Sequence, residues 1–168
     1  YEIRRVIGRG GTGIVLQAVD CELDRIVALK VLSPALASNG AARRRFSREG
    51  QAAASVAHDN VVAIYHVESA GPVPYLVMQY VDGCSLQEWV MRSGPIDTTS
   101  ALRMVAQLAA ALEAAHEQGL VHRDVKPANI MVSAAGHRVW ITDFGLARAV
   151  DDASLTRTGF IAGTPHYM

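Results

Sequence analysis

Charge of one sign is what this 168-residue chain lacks: sixteen Lys and Arg balance sixteen Asp and Glu. A nucleic-acid polymer is therefore not expected as its main partner, because binding a phosphate backbone draws on an excess of cations. Cysteine is scarce as well. Cys21 and Cys84 have no paired metal-ligand spacing and fit free thiols in a reducing cytosol. No apolar run approaches the length of a membrane span and no signal-peptide pattern is present, so no membrane contact is expected for this stretch. The six histidines are scattered without a ligand cluster, and His116 reads as a packed helix residue. Internal repeats and low-complexity linkers are missing too. What remains is a chain that is half hydrophobic, enough for a core, although much of that share is alanine.

Against this plain background, one stretch carries chemistry. His122-Arg-Asp-Val-Lys-Pro-Ala-Asn129 is followed by Asp143-Phe144-Gly145. A carboxylate, a cation, a carboxamide and a second carboxylate thus fall in close succession. Asp124 can accept a hydroxyl proton, Lys126 can neutralise a phosphoryl group in flight, and Asn129 with Asp143 can hold hard divalent cations through oxygen. Turn polarity alone also favours His, Asp and Asn, but it does not account for two such motifs in this order.

Near the N-terminus, Gly8-Arg-Gly10-Gly-Thr-Gly13-Ile-Val15 has the GxGxxGxV spacing. Dinucleotide-binding folds use the same glycines between a strand and a helix. Here the following residues, Ile-Val-Leu-Gln-Ala-Val, are β-branched and aliphatic with no helical cap, which predicts strand, loop and strand. Glycines there let the backbone approach phosphate oxygens, although a plain hairpin turn would use them equally. Further on, Lys30 is the single cation in the apolar run Ile26-Val-Ala-Leu-Lys-Val-Leu32. A buried charge needs a partner. Residues 43–57 read as a helix on which Glu49 is the only acid; Glu49 can serve Lys30, or pair on the surface with Arg45 or Arg48.

Together these motifs resemble the Ser/Thr protein kinase family of the eukaryotic-like type, and the abundance of Ala, Arg and Val leans towards a GC-rich bacterial source. The resemblance runs along the whole chain. It implies an α+β, two-lobed protein-kinase fold: residues 1–80 a complete N-lobe, a twisted antiparallel sheet with one helix, and residues 81–168 a partial, mostly helical C-lobe ending in the activation segment. It implies ATP and Mg2+ as cofactors. Gly8, Gly10, Gly13, Lys30 and Glu49 would hold the phosphates, and Val15, Ala28 and Met131 would sandwich the base. Met78 would be the gatekeeper, with the Gln79 carbonyl and Val81 amide meeting adenine at the hinge. Asp124, Lys126 and Asn129 would be catalytic, and Asn129 with Asp143 would bind metal. Arg123 would receive a phosphate carried by Thr156 or Thr158, with Ser154 behind them, and Thr164 would join the substrate-docking segment. Departures from the family pattern are Thr12 at the glycine-loop tip, Asp59 for a common proline, and Gln79 for an acid.

The expected partner is a protein with a Ser or Thr acceptor, with self-association for activation-loop autophosphorylation. The kinase domain would be cytoplasmic, in a parent that segments outside this chain could anchor to a membrane. Because the chain opens on Tyr1 and stops at Gly163-Thr164-Pro165-His166-Tyr167-Met168, before the family's Ala-Pro-Glu, it is expected to be a fragment of the catalytic domain, inactive in isolation. A long helix over about 99–118 carries two apolar stripes, Leu102-Val105-Ala109-Leu112-His116 and Ala101-Met104-Leu108-Ala111-Ala115. Only the track through Arg103, Gln107, Ala110, Glu113 and Glu117 looks suited to water. The rival readings are a pseudokinase or nucleotide-binding scaffold and, among enzymes, a small-molecule kinase.

Overall fold

A computed structural model of the chain describes residues 1–144. The segments expected to hold Thr156, Thr158, Ser154, Thr164 and the closing Gly145 of the Asp-Phe-Gly turn lie outside the described residues. Within 1–144 the chain forms two compact units, one from residues 1–54 and 63–80, the other from 55–62 and 81–144.

The first unit is built on a five-stranded antiparallel sheet in the order β1-β2-β3-β5-β4. Its strands are β1 (Glu2–Gly10), β2 (Gly13–Asp20), β3 (Arg25–Leu32), β4 (Ile64–Glu68) and β5 (Tyr75–Gln79). Two helices, α1 (Pro34–Ala37) and α2 (Gly40–Ala54), follow β3. Strand alternation sorts β3 into two faces. Leu29 and Val27 join Ala18 and Val77 in one cluster. Leu32 joins Leu36, Ala42, Phe46 and Leu76 in the other, against α2. Lys30 shares the face of Leu32 and stands opposite Leu76 in the register. It is buried, as the apolar run predicts.

Helix α2 begins and ends three residues earlier than the expected 43–57. The signal for its start is Asn39, whose Oδ1 accepts the N–H groups of Ala41 and Ala42 at 2.9 and 3.1 Å. A short polar side chain that satisfies the first free amides defines a helix start better than a basic run does. Ala42, Phe46, Gly50 and Ala53 form its buried stripe. At Gly50 a Cβ would come within 2.6 Å of Leu76 Cδ2, so the missing side chain lets helix and sheet approach closely.

In the second unit, β6 (Gly83–Ser85), β7 (Ile130–Ser133) and β8 (Val139–Ile141) form a three-stranded sheet in that order. Helices α3 (Leu86–Ser93) and α4 (Thr98–Glu117) complete it. A capping box between Ser85 and Glu88 starts α3, and Asp97 accepts the Ser100 N–H to start α4. Met104 packs with Ile130, Val132 and Val139, supported by Leu86, Trp89 and Leu108.

Of the two apolar stripes of α4, the second is the buried one, through Met104, Ala111 and Ala115, whereas Leu102 and Val105 on the first stay 66% and 60% exposed among the described residues. Two expectations for α4 need correction. His116, read as a packed helix residue, is exposed. Gln107 does not face water. Its Nε2 donates to the His137 carbonyl at 3.0 Å, and its Oε1 accepts from Asn60 Nδ2 at 2.9 Å and Val139 N at 3.1 Å. Asn60 Nδ2 also donates to the Val139 carbonyl at 2.7 Å, and the Ile141 N–H donates to the Asn60 carbonyl at 2.8 Å. These bonds tie residues 55–62 to β8.

Gly13 and Gly10 close the β1-β2 hairpin but differ in constraint. Gly13 has φ +151°, and a Cβ on it would lie 1.9 Å from the Val31 carbonyl oxygen, whereas a Cβ on Gly10 would meet nothing within 4 Å. Gly13→Ala is therefore expected to cost at least about 2 kcal/mol of stability and Gly10→Ala no more than about 0.5 kcal/mol. Urea unfolding of the two variants side by side checks the difference; equal losses would contradict it.

Candidate active site

The loop between α4 and β7 is organised by bonds that its own side chains make. His122 is 1% exposed. Its Nε2 lies 2.8 Å from the Thr142 carbonyl oxygen and therefore carries the proton, while Nδ1 accepts the Asp124 backbone N–H at 3.2 Å. Its ring packs on buried Phe144 with centroids 4.6 Å apart. Burial pushes the His122 imidazole below its ordinary pKa, partly opposed by the Thr142 carbonyl and by the charges of Asp124 and Asp143.

Asp124 sits at the centre. Its Oδ2 receives Lys126 Nζ at 2.8 Å and Asn129 Nδ2 at 2.9 Å. The same Asn129 amide nitrogen donates to the Asp124 carbonyl oxygen, also at 2.9 Å. Both protons of that nitrogen are committed, so the amide is oriented with Oδ1 as its acceptor end. A 3-10 turn, Pro127–Asn129, brings Asn129 back to Asp124, closed by the Asn129 N–H on the Lys126 carbonyl at 2.9 Å. From there the Thr142 N–H donates to the Asn129 carbonyl at 3.0 Å. Asn129 and Asp143 are thereby set at the adjoining ends of neighbouring strand segments.

Asp143 and Arg123 hold left-handed backbone conformations, with φ of 65° and 66°. Non-glycine residues adopt such angles at a cost that surrounding bonds must outweigh. Here the neighbours are the buried His122 and Phe144, which face inward while Arg123 is exposed.

The donor chemistry suits a hard cation. Asn129 presents an amide oxygen and Asp143 a carboxylate, the ligand types that magnesium takes. Among the described residues no group of three or more His, Cys, Asp or Glu side chains could hold a metal. A cation here would depend on oxygens from a phosphate ligand and water, which is how magnesium is commonly bound beside nucleotides.

The remaining expected residues are placed as follows. Gly8, Gly10, Gly13, Val15, Ala28, Lys30, Glu49, Met78 and Gln79 belong to the first unit, and Val81 and Met131 to the second. Val15 stands opposite Lys30, and Ala28 opposite Met78. Glu49 lies on α2 beside the buried stripe of Phe46, Gly50 and Ala53, and is half-buried. The Gln79 N–H is taken by the Ala63 carbonyl at 2.8 Å. Val81 is buried, and Met131 alternates with the core residues Ile130 and Val132.

Sequence reasoning passed over Thr142, whose backbone fixes both His122 and Asn129. It also passed over the link between Asn60 and Gln107. A backbone carbonyl leaves no trace in residue type, but His58-Asp59-Asn60 just before an apolar pair did offer a polar signal.

A family model for the protein kinase domain matches residues 1–168. The chain belongs to that family. It is 44% identical over 173 residues to the serine/threonine-protein kinase PknB of Mycobacterium leprae, covering 100% of this chain and 28% of that protein. It is 40% identical over 168 residues to PrkC of Bacillus subtilis, covering 100% of this chain and 26% of that one. The chain thus spans little more than a quarter of the curated relatives it matches. Among solved structures, the Mycobacterium tuberculosis PknI kinase domain superposes with a TM-score of 0.75 at 34% identity, over 86% of this chain and 59% of that one. The PpkA-294 apo form reaches a TM-score of 0.83 over 92% of this chain and 62% of that one; at 23% identity it speaks for the fold alone. The two-lobed kinase fold expected from the motifs is shown, and the family uses ATP with a divalent metal.

The lowered pKa of His122 has a consequence for stability. The fold disfavours the protonated ring, so its contribution is fully present above the unfolded value near 6.5 and is lost as pH falls through the lower folded value. Melting temperature should therefore drop between pH 7.5 and 5.5, and less steeply in a His122→Gln variant. Parallel melts across that range check this; identical slopes would show that His122 is not the titrating group.

Proposed function

We propose that this chain carries the nucleotide-binding and phosphoryl-transfer strip of a bacterial Ser/Thr protein kinase, which moves the γ-phosphoryl group of ATP to Ser or Thr hydroxyls of proteins. The observation that carries the reading is the convergence of Lys126 Nζ and Asn129 Nδ2 on one carboxylate oxygen of Asp124. A carboxylate so held is oriented for the task of a proton acceptor. The names of the two curated relatives, both serine/threonine-protein kinases, favour the same acceptor class.

In this mechanism Asp124 accepts the proton of the substrate hydroxyl as its oxygen forms a bond to the γ-phosphorus and the bond from that phosphorus to the ADP oxygen breaks. Lys126, already at the Asp124 carboxylate, offers positive charge to the transferring phosphoryl oxygens. Asn129 Oδ1 and the Asp143 carboxylate would hold Mg2+, which would neutralise phosphate charge when bound. Lys30, kept on the α2 side of the sheet, grips the donor phosphates with Glu49 as its partner. Gly8, Gly10 and Gly13 bring backbone amides to those phosphates. Val15 and Ala28 of the first unit and Met131 of the second would supply apolar contacts to the base, with Met78 as gatekeeper and the Gln79 carbonyl and Val81 amide as the groups for adenine.

Asp124→Asn and Asp143→Asn in the full-length protein should each lower kcat at least about a thousandfold, roughly 4 kcal/mol of transition-state stabilisation. Magnesium-dependent nucleotide binding should weaken in Asp143→Asn and be largely spared in Asp124→Asn. Turnover assays with calorimetric titration of nucleotide test both, and near wild-type turnover in either variant would overturn the assignment.

Arg123 has a separate, regulatory role in this proposal. Exposed beside Asp124, it receives a phosphate placed on Thr156 or Thr158 by another copy of the kinase, and Thr164 helps to dock the substrate. Mass spectrometry of the active full-length protein should find one of the two threonines phosphorylated, with activity falling at least about tenfold in Arg123→Ala. Full activity with an unmodified segment would sink the idea.

A further inference from the structure

Helix α2 carries Arg43, Arg44, Arg45 and Arg48, gathered towards its N-terminal end with no acidic residue in the first turn. Cations are disfavoured at that end of a helix dipole, and like charges four residues apart, such as Arg44 and Arg48, repel. Arg44 and Arg48 are exposed and form no ion pair or hydrogen bond among the described residues. For Arg44 and Arg48 no compensating group stands among the described residues, so an anion brought by a partner would relieve both.

Arg43 shows where such a partner would lie. Its guanidinium donates to the carbonyl oxygens of Ser69 at 2.8 Å and Gly71 at 2.6 Å, with those of Pro72 and Ala37 at 3.4 and 3.5 Å. Carbonyls orient the group without cancelling its charge. The carboxylate of the same turn, Glu68, is occupied by the N–H groups of Ala70 and Gly71.

Held in this way, Arg43 forms a wall shared by two adjoining depressions. One, of about 560 Å³, is floored by buried Leu32 and edged by Pro34, Ala37, Pro72 and Val73. The other, of about 410 Å³, is lined by Arg44, Arg48, Ser47 and Ser69. Gly40 and Arg43 border both, so they make one groove with an apolar end and a cationic end. Val73, at the apolar end, is 50% exposed.

We propose that this groove docks an acidic peptide segment of a protein partner, with an apolar side chain over Leu32 and Val73 and its anionic groups facing Arg44 and Arg48. A lone anion would leave the apolar end bare, and a purely apolar segment would strand the arginines. Since α2 forms one wall and also carries Glu49, an occupied groove braces that helix. This last consequence rests on the role proposed for Glu49, whereas docking itself does not.

The test uses full-length protein, both wild type and Asp124→Asn, and fluorescein-labelled peptides read by anisotropy. The probes are Asp-Asp-Leu-Asp-Asp-Leu, a version with phosphoserine in place of two aspartates, a version with Ala in place of both leucines, and a twelve-nucleotide single-stranded DNA. Saturable binding of the aspartate or the phosphoserine peptide is expected, and the stronger of the two identifies the anion. That binding should weaken at least about tenfold in Arg44→Glu/Arg48→Glu, in Val73→Asp and for the Ala peptide. Should the charge-reversed protein lose its circular dichroism signal, Arg44→Gln/Arg48→Gln provides the same comparison. Equal affinity across the variants would overturn the proposal, as would Ala peptide or DNA binding as tightly as the leucine peptides. Turnover measured in parallel keeps the two readings apart: docking without phosphoryl transfer would refute the proposed activity alone, and transfer without docking would refute the groove alone.

Discussion

His122 is withdrawn from solvent, and each of its ring nitrogens is committed, one to the Thr142 carbonyl and the other to the Asp124 N–H. The ring is therefore a strut between two chain segments more than a dozen residues apart. On one side hangs the turn that aims the Asp124 carboxylate; on the other, the strand end that leads into Asp143. Backbone groups left unpaired in such a place would each cost about 1–3 kcal/mol. A neutral imidazole, a donor at one nitrogen and an acceptor at the other, satisfies both without importing a charge. The Asn129 carboxamide repeats the device on a smaller scale. It donates twice to Asp124, while its own backbone carbonyl receives the Thr142 N–H. Exposed Arg123 and the left-handed Asp143 can keep strained angles because these buried neighbours hold the chain on either side.

Legibility from sequence followed the type of signal. Strands β1, β2 and β3 were readable because alternating and continuous apolar runs have few other interpretations, and the glycines of the first hairpin separated two of them cleanly. Lys30 was readable as buried because the run around it left no polar face. The start of α2 was misjudged because Asn39 is one polar residue among several, and its capping role becomes visible only when its oxygen is seen to accept from Ala41 and Ala42. The two stripes of α4 could not be ranked by periodicity, since both are apolar. Which one is buried is decided by where β7 and β8 run, a tertiary fact. Gln107 was assigned to water for the same reason: glutamine reads as a surface residue until a strand edge with unpaired N–H and C=O groups is placed beside it. The roles of the loop residues were legible through the resemblance, but the bonds that orient them pass largely through backbone atoms, which residue identity does not report.

Several residues named for chemistry also have a plain structural reason to be what they are. Gly13 is confined by the Val31 carbonyl, so this glycine would be needed to close the hairpin against β3 even if no phosphate ever approached it. Gly10 carries no such constraint, which makes it the better witness for a role in binding. Asp59, a departure from the family's usual proline, uses its carbonyl and carboxylate to hold Arg138, at 2.9 and 3.4 Å, and so brings residues 55–62 to the start of β8. Proline would still offer the carbonyl but not the carboxylate. The pair is exposed and worth little by itself, yet it lies beside the buried bonds of Asn60, where a correctly placed strand matters more than the energy of one ion pair.

Stability and chemistry therefore draw on the same bonds in the second unit but on different ones in the first. Removing His122 or Asn129 would loosen the turn and displace the carboxylate at once, so loss of activity at those positions cannot by itself separate a fold role from a chemical one. Asp124 and Asp143 are more informative, because exchange of an oxygen for an amide nitrogen keeps shape while removing the charge. In the first unit, the contacts that seat α2 include the apolar ones of Ala42, Phe46 and Leu76 together with the Arg43 carbonyl bonds. Glu49 rides on the same helix, so in the role proposed for it the Arg43 bonds to the turn of Ser69 and Gly71 bear on where its carboxylate stands.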